Sequence, residues 1–528
     1  MPPGTRTSIA PYKVYPLWEV LRQTASRLPQ KVAVIDGERE FTFSQLDEKS
    51  DRLAAALAGL GVEKADRVGL FAPNCAEFII GFFGIIKTGA TVTPVNAAYR
   101  ERELAHQLGN AGAKVIIAHQ ALLPVVQAAR SELPELETVI VIGEASGVDL
   151  SLEELLSKHR PEPPRVSIDP REDLAVLPSS SGTTGLPKGV MLTHFNLSSN
   201  LEQFLNRPGE ASVMREEDVV LVHLPLFHSY GMTILMNGAI ASGATQVHMA
   251  RFDIEQFLAL CSRHRVTMLV TVPPVVLLIT QVPDIEKYDL SAMRLCLSGA
   301  APLSEELQQR LERLTGIPTI QAYGLTETSP ITNLDYLEPE RRRSGSIGPA
   351  LADTEEKVVD SEDGERELPR GEVGELLIKG PQVMKGYWMN PEETAETIKD
   401  GWLYTGDLAR MDEEGYVYIV DRKKELIKYK GFQVAPAEME ALLLEHPQVL
   451  DVAVVGKPDV EAGELPKAYV VAKGPDLTAE EIMSFVASRV AGFKKIREVE
   501  FIDQIPKSPS GKILRRVLMD REKERAGR

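Results

Sequence analysis

The 528-residue sequence predicts an α/β fold: a large N-terminal domain of stacked α/β sheets plus a small antiparallel β subdomain, followed by an α+β C-terminal domain. Three observations lead there. From about residue 15 to about 340, apolar runs of strand length alternate with amphipathic segments, the order of parallel sheets flanked by helices. From about 341 to about 420, "DSEDGERELPRGEVGELLIKG" and "MDEEGYVYIV" read as short strands joined by turns rich in Gly, Asp and Glu. Beyond the polar stretch "DRKKELIKYKGFQVAP", roughly a hundred residues carry helix and strand signals of their own. The expected boundaries are 1–421 for the N-terminal domain, 422–424 for the connection and 425–528 for the C-terminal domain.

Within the first region, "VTMLVTVPPVVLLI" and "MRLCLSGAAPLSEELQQRLERL" show the alternation best. In the second of these a strand runs into a Gly-Ala-Ala-Pro turn, after which Ser304 caps a helix whose first turn carries Glu305 and Glu306. Such a loop at a strand's carboxyl end is where open α/β sheets hold ligands. In the C-terminal region Pro436 starts a helix, "VLDVAVVG" reads as a strand, and Thr478 with Glu481 forms a capping box before a further helix. The chain has no internal repeat and no low-complexity tract.

Composition narrows the function. A hydrophobic content of 43% with 26% charged residues supports ordinary globular cores. The net charge of −17, with no long Lys/Arg block, excludes sequence-independent nucleic-acid binding, which needs a positive face. Cys75, Cys261 and Cys296 are scattered without metal-ligand spacing, which fits a reduced compartment. "FIIGFFGII" is about half a membrane span, and no signal region opens the chain. The expectation is a soluble, cytoplasmic protein without a transmembrane segment; a homodimer and a peripheral membrane contact are compatible with it.

The loop "LPSSSGTTGLPKGVMLTH", Leu177 to His194, concentrates Gly, Ser and Thr around one lysine. It is not a Walker A motif, because Lys188 follows Pro187 and precedes Gly189, so the Gly-Lys-Ser/Thr sequence is missing. Glycines that allow close backbone approach, hydroxyl and amide donors and one point charge nevertheless suit a triphosphate.

"SSSGTTGLPKGV" resembles the signature loop of the adenylate-forming superfamily, which includes acyl-CoA synthetases, 4-coumarate-CoA ligases, firefly luciferase and peptide-synthetase adenylation domains. Four further stretches follow in that family's order: "QAYGLTET" from Gln321, "GWLYTGD" from Gly401, "DRKKELIKYKGFQVAPAE" from Asp421 and "PKSPSGK" from Pro506. On these motifs the chain is identified as a member of the acyl-CoA synthetase and 4-coumarate-CoA ligase-like branch.

The resemblance implies a two-step reaction using ATP, Mg2+ and coenzyme A: a carboxylate attacks the α-phosphate to give acyl-AMP and pyrophosphate, then a thiol displaces AMP. It also implies roles. Ser180, Ser181, Gly182, Thr183, Thr184 and Lys188 match the loop that closes on the outer phosphates. Gln321, Ala322 and Tyr323 match the adenine-side strand, Thr326 the α-phosphate hydroxyl, and Glu327 the carboxylate that holds magnesium. Asp407 and Arg422 match ribose contacts, and Lys512 the lysine of the adenylation step. Lys424 matches the hinge of a mobile C-terminal domain. Lys428, Lys430, Gly431 and Gln433 lie on the face that would be presented for coenzyme A.

His228 in "LPLFHSYGMTILMN" matches a histidine at the acyl-pocket mouth, with Tyr230, Ala301 and Ala322 as further acid-binding candidates. The apolar surroundings favour a hydrophobic acid over an amino acid. The "FHSYGMT" wording is most like bacterial medium- and long-chain fatty acyl-CoA synthetases, so the leading expectation is a fatty acyl-CoA synthetase. The alternatives are an aryl or 4-coumarate-type CoA ligase, a luciferase-like enzyme and a carrier-protein-loading acyl-AMP ligase.

Overall fold

The computed structural model describes residues 6–144, 150–180, 187–423, 425–430, 432–459, 462–490, 492–509 and 511–526. Its α/β organisation follows the predicted order. Eight strands form one sheet in the spatial order Ile331–Leu334, Thr319–Gly324, Leu295–Ser298, Met268–Thr271, Val219–Val222, Thr245–His248, Val32–Asp36 and Arg39–Thr42. The central pairs are parallel and the two edges antiparallel. A second, nine-stranded sheet is built around Arg67–Phe71, Thr91–Pro94 and Val115–His119.

The apolar run noted above explains how the sheets stack. It forms helix Ala76–Lys87, whose residues are all buried except Glu77, including Phe78, Ile79, Phe82 and Phe83. A helix apolar all round belongs inside a core, and each buried aromatic contributes about 2–3 kcal/mol of apolar transfer. Its terminal Lys87 is buried too, and donates to Asp47, Ser50 and Asp51, the last also bound by Arg22. No described helix is long and apolar enough to cross a membrane.

Asn74 ties the two sheets at their functional ends. It leaves the nine-stranded sheet just after Arg67–Phe71, yet its amide donates to the carbonyls of Val222, Leu224 and Met249 at 3.1, 3.0 and 3.3 Å and accepts from Leu226 N at 2.9 Å. Val222 O also accepts from Met249 N at 3.0 Å, whereas the Leu224 and Met249 carbonyls and the Leu226 amide find their partner in this one side chain, which supplies what the sheet does not.

The antiparallel subdomain comprises Glu355–Val359, Val373–Lys379, Ile398–Lys399, Trp402–Met411 and Val417–Arg422. In the C-terminal region a five-stranded sheet centres on the long hairpin Val449–Asp459 and Gly463–Ala472. Helices Pro436–Leu444, Ala479–Ala487 and Arg515–Ala526 accompany it. Pro436 opens its helix, and Thr478 and Glu481 make the reciprocal capping box. All three cysteines are buried and free.

Candidate active site

A cleft of about 450 Å³ opens where strand carboxyl ends meet the antiparallel subdomain. Strand Leu295–Ser298 runs into Gly299 and Ala300 on its wall, and strand Thr319–Gly324 delivers Ala322, Tyr323 and Gly324. Ser304 caps the following helix by accepting from Leu307 N, as predicted. Gly299 has a steric reason: a Cβ there would come within 3.1 Å of the Tyr230 ring. That ring is buried, and its hydroxyl donates to Leu297 O at 3.2 Å. Tyr230 and Gly299 therefore pack closely on this wall.

His228 lines the same wall. Burial, reinforced by the charge of Lys512, lowers its pKa to about 4, so the ring is neutral at physiological pH. Its Nδ1 faces Tyr230 N at 3.3 Å, and with that nitrogen accepting, the proton resides on Nε2.

On the nucleotide side, Tyr323 donates its hydroxyl to Asp407 Oδ2 at 2.5 Å, and Arg422 Nε lies 3.0 Å from Asp407 Oδ1. Asp407 and Arg422 are also directly paired in register on neighbouring strands. Burial and the Asp407 carboxylate hold the Tyr323 phenol well above its usual range, so it remains a donor. Burial works against the Arg422 charge, but Asp407 and Glu425 outweigh it and the pKa rises.

On the phosphate side, Ser180 and Lys188 face each other across paired strands at the base of the loop. Lys188 Nζ stands 2.5 Å from Glu393 Oε1 and 5.4 Å from the Tyr387 ring centre. Thr326 and Glu327 form a short turn on the cleft, where Tyr387's hydroxyl donates to Glu327 Oε1 at 2.9 Å. Among the described residues no group of three His, Cys, Asp or Glu could cage a metal. One cleft carboxylate fits magnesium, which is held by one or two carboxylates plus substrate phosphates.

Lys512 reaches this cleft from the far end of the chain. Lys507 bridges Ile513, Ser508 N donates to Lys512 O and Gly511 N to Ser508 O, which sets the backbone at Lys512. Gly511 has φ +79°, and a Cβ there would press on Pro274 and Val272 at 3.1–3.2 Å, so the turn docks on the end of strand Met268–Thr271. Burial, aided by the nearby Arg422 charge, lowers the Lys512 pKa to about 8.

The structure thus brings together Ser180, Lys188, His228, Tyr230, Ala322, Tyr323, Thr326, Glu327, Arg422 and Lys512 on one cleft, with Asp407 directly beneath. Four candidates stand elsewhere, Gln321, Ala301, Lys428 and Lys430. Gln321 is buried behind the wall, where its Oε1 accepts from Leu303 N at 2.9 Å and so holds the Gly-Ala-Ala-Pro turn. Ala301 gives way to Gly299 and Ala300 as lining residues, since the turn faces the cleft with its first two positions. Lys428 and Lys430 are exposed on the C-terminal region, away from the cleft lining. Ser181, Gly182, Thr183, Thr184, Lys424 and Gly431 lie outside the described residues, as does the side chain of Gln433. Sequence reasoning missed Tyr387, Glu393 and Glu396, which also line the cleft. The stretch "KGYWMNPEET" carries no local phosphate-site signal, and its position is set by pairing with the strand that follows the loop.

Residues 21–388 match the family described as AMP-binding enzyme, and residues 438–512 match the AMP-binding enzyme C-terminal domain. The chain belongs to the AMP-binding enzyme family. A 4-coumarate–CoA ligase of Pinus taeda is 42% identical over 96% of this chain and 95% of its own length. The 4-coumarate–CoA ligase 1 of Solanum tuberosum is 40% identical over 96% and 94%. Among solved structures, the anthranilate CoA ligase AuaEII in complex with anthranoyl-AMP has a TM-score of 0.90 at 30% identity, covering 98% of both chains. A Mycobacterium tuberculosis fatty acyl CoA synthetase has a TM-score of 0.75 at 32% identity, covering 96% of this chain and 98% of its own. The protein is an adenylate-forming acid–thiol ligase of the acyl-CoA ligase type, and such enzymes use ATP, Mg2+ and coenzyme A. The relatives favour the aryl alternative over the fatty-acid expectation.

Proposed function

We propose that this family member is an aryl-CoA ligase of the 4-coumarate type: it converts an aromatic propenoic acid to its acyl-AMP and then to the coenzyme A thioester. The observation that carries this reading is 42% identity to a 4-coumarate–CoA ligase along nearly the whole of both chains. The Tyr230 ring among the cleft lining supports it, because aromatic rings gain from contact with one another beyond their buried area.

The proposed chemistry follows from the cleft. The acid is already ionised at neutral pH, so no base is required, and the barrier is one anion approaching another. Lys512 offsets that repulsion at the α-phosphate, with Thr326 as a donor beside it. Lys188 and the preceding loop hold the outer phosphates. Magnesium, when bound at Glu327, neutralises charge on the departing pyrophosphate. Tyr323 presents its face to adenine while Asp407, oriented by Tyr323 and Arg422, accepts from the ribose. Neutral His228 donates from Nε2 toward the carboxylate as it enters. For the second step, the C-terminal domain turns about residues 422–424 and offers the segment of Lys428, Lys430, Gly431 and Gln433 to coenzyme A.

A panel of acids from short aliphatic to cinnamic, read by mass spectrometry for acyl-AMP and acyl-CoA, tests the reading. Hydroxycinnamates should give the highest kcat/KM with both products formed. A higher value for a medium- or long-chain fatty acid would restore the fatty acyl reading, and adenylate without thioester would point to a carrier-protein acceptor.

A further inference from the structure

Tyr387 touches both halves of the phosphate machinery. Its hydroxyl donates to Glu327 Oε1 at 2.9 Å, and its ring lies beneath Lys188 Nζ at 5.4 Å from the centre. Its backbone sits on the short strand Gly386–Tyr387, which pairs antiparallel with the strand that leaves the phosphate loop, Val190 opposite Tyr387 and Met191 opposite Gly386. Two further bonds lock the position: Trp388 N donates to Gly189 O at 2.8 Å, and Tyr387 N donates to Thr394 Oγ1 at 2.9 Å. Glu327 is fixed from the same segment, its carbonyl accepting from Met384 N at 2.8 Å.

We infer that Tyr387 is a positioning residue that sets the Glu327 carboxylate for Mg2+ and ties it to the loop lysine. The inference rests on Glu327 as the metal carboxylate. By occupying Oε1, the phenol directs the other oxygen toward the cation and fixes the carboxylate plane. Partners of this kind change metal affinity by about ten- to a hundredfold when removed. The ring contributes separately, since a cation over an aromatic face is attracted to it without being neutralised. The loop lysine and the metal site are thereby held at a fixed spacing by one rigid group, although residues 188 and 327 are far apart in the chain.

The test measures Mn2+ binding by electron paramagnetic resonance in the full-length protein saturated with α,β-methylene-ATP, for wild type, Tyr387→Phe, Glu327→Gln and the double variant. Tyr387→Phe should weaken Mn2+ about tenfold, leave AMP binding and thermal midpoint near wild type, and cost nothing further in the Glu327→Gln background. If Glu327→Gln alone leaves Mn2+ binding unchanged, the metal role of Glu327 falls. If Glu327→Gln weakens the ion while Tyr387→Phe does not, or if the two losses multiply, the inference about Tyr387 is overturned. Glu327→Asp, which keeps the charge but retracts it from the phenol, supplies the same reading should Tyr387→Phe not fold. A Mn2+ affinity in that variant equal to wild type would count against the positioning role.

Discussion

Replacing Lys512 by alanine should separate the two half-reactions. The ammonium lines a buried cleft beside His228, Tyr323, Thr326 and Arg422, where its field is poorly screened. At about 4 Å and an effective dielectric of about 20, one unit charge acts on another with about 4 kcal/mol. Allowing for the fraction that the remaining cations and entering water replace, about 3 kcal/mol of transition-state stabilisation is at stake, a loss of about 10²-fold in adenylation. The assay is pyrophosphate exchange into ATP with 4-coumarate, set against thioester formation from synthetic coumaroyl-AMP and coenzyme A. Exchange should collapse while the second reaction stays within a few-fold of wild type. The pH profile supplies a second arm: the lysine is charged below about 8 and neutral above, so kcat/KM for adenylation should decline as pH rises through about 8, and Lys512→Arg should move that limb upward. Stability should not fall with the alanine. Burial lowers the folded pKa below the unfolded one, so the unfolded chain holds the proton more tightly and the buried charge opposes folding at neutral pH. Equal loss of both half-reactions, or exchange that survives, would refute the assignment.

Three other outcomes are expected. Asn74→Ala strands the carbonyls of Leu224 and Met249 and the amide of Leu226, and should cost about 3 kcal/mol of stability in denaturant melts, with a raised KM for the acid because this loop leads to His228. Glu356 is buried and its pKa is raised to about 8, so the folded state keeps a proton that the unfolded state releases, and stability declines as pH rises from the unfolded value through about 8; Glu356→Gln should match wild type near pH 5 and exceed it increasingly toward pH 8 in thermal melts. Lys428→Ala, at an exposed position off the cleft, should slow thioester formation from supplied adenylate more than pyrophosphate exchange, and the opposite ranking would remove it from the second face.

The fold was legible where local signals agree with tertiary context. The alternation of apolar runs and amphipathic segments announced both large sheets, and Ser304, Pro436 and Thr478 marked helix starts because capping chemistry is local. The site was legible through motifs that sit at strand ends, as with Tyr323 and Thr326. Gln321 misled because a motif does not say which of its members reach the ligand, and this one is taken up by the backbone of Leu303, a partner the motif does not contain. Tyr387 and Asn74 were invisible for a different reason. Each acts on a partner more than a hundred positions away, Asn74 on the amide of Leu226 and Tyr387 on Lys188, and nothing in their own neighbourhoods encodes that meeting.

Charge distribution explains why the two-part design suits the chemistry. The protein carries a net charge of −17, yet Lys188, Arg422 and Lys512 converge on one cleft. Lys188 is paired with Glu393 and Arg422 with Asp407, and all four belong to the first 422 residues, so their field is permanent. Lys512 is different. It arrives through a turn that docks by way of Gly511, on a C-terminal region whose Arg515 bridges Glu425 and Glu440 within that same region. Its charge is therefore delivered by domain position. On the proposed rotation, the cleft is most positive while a carboxylate must approach a triphosphate, and becomes less so once pyrophosphate has to leave. On that proposal, the movement that brings a thiol acceptor would also weaken the hold on the first product and so couple release to acceptor entry without a separate switch.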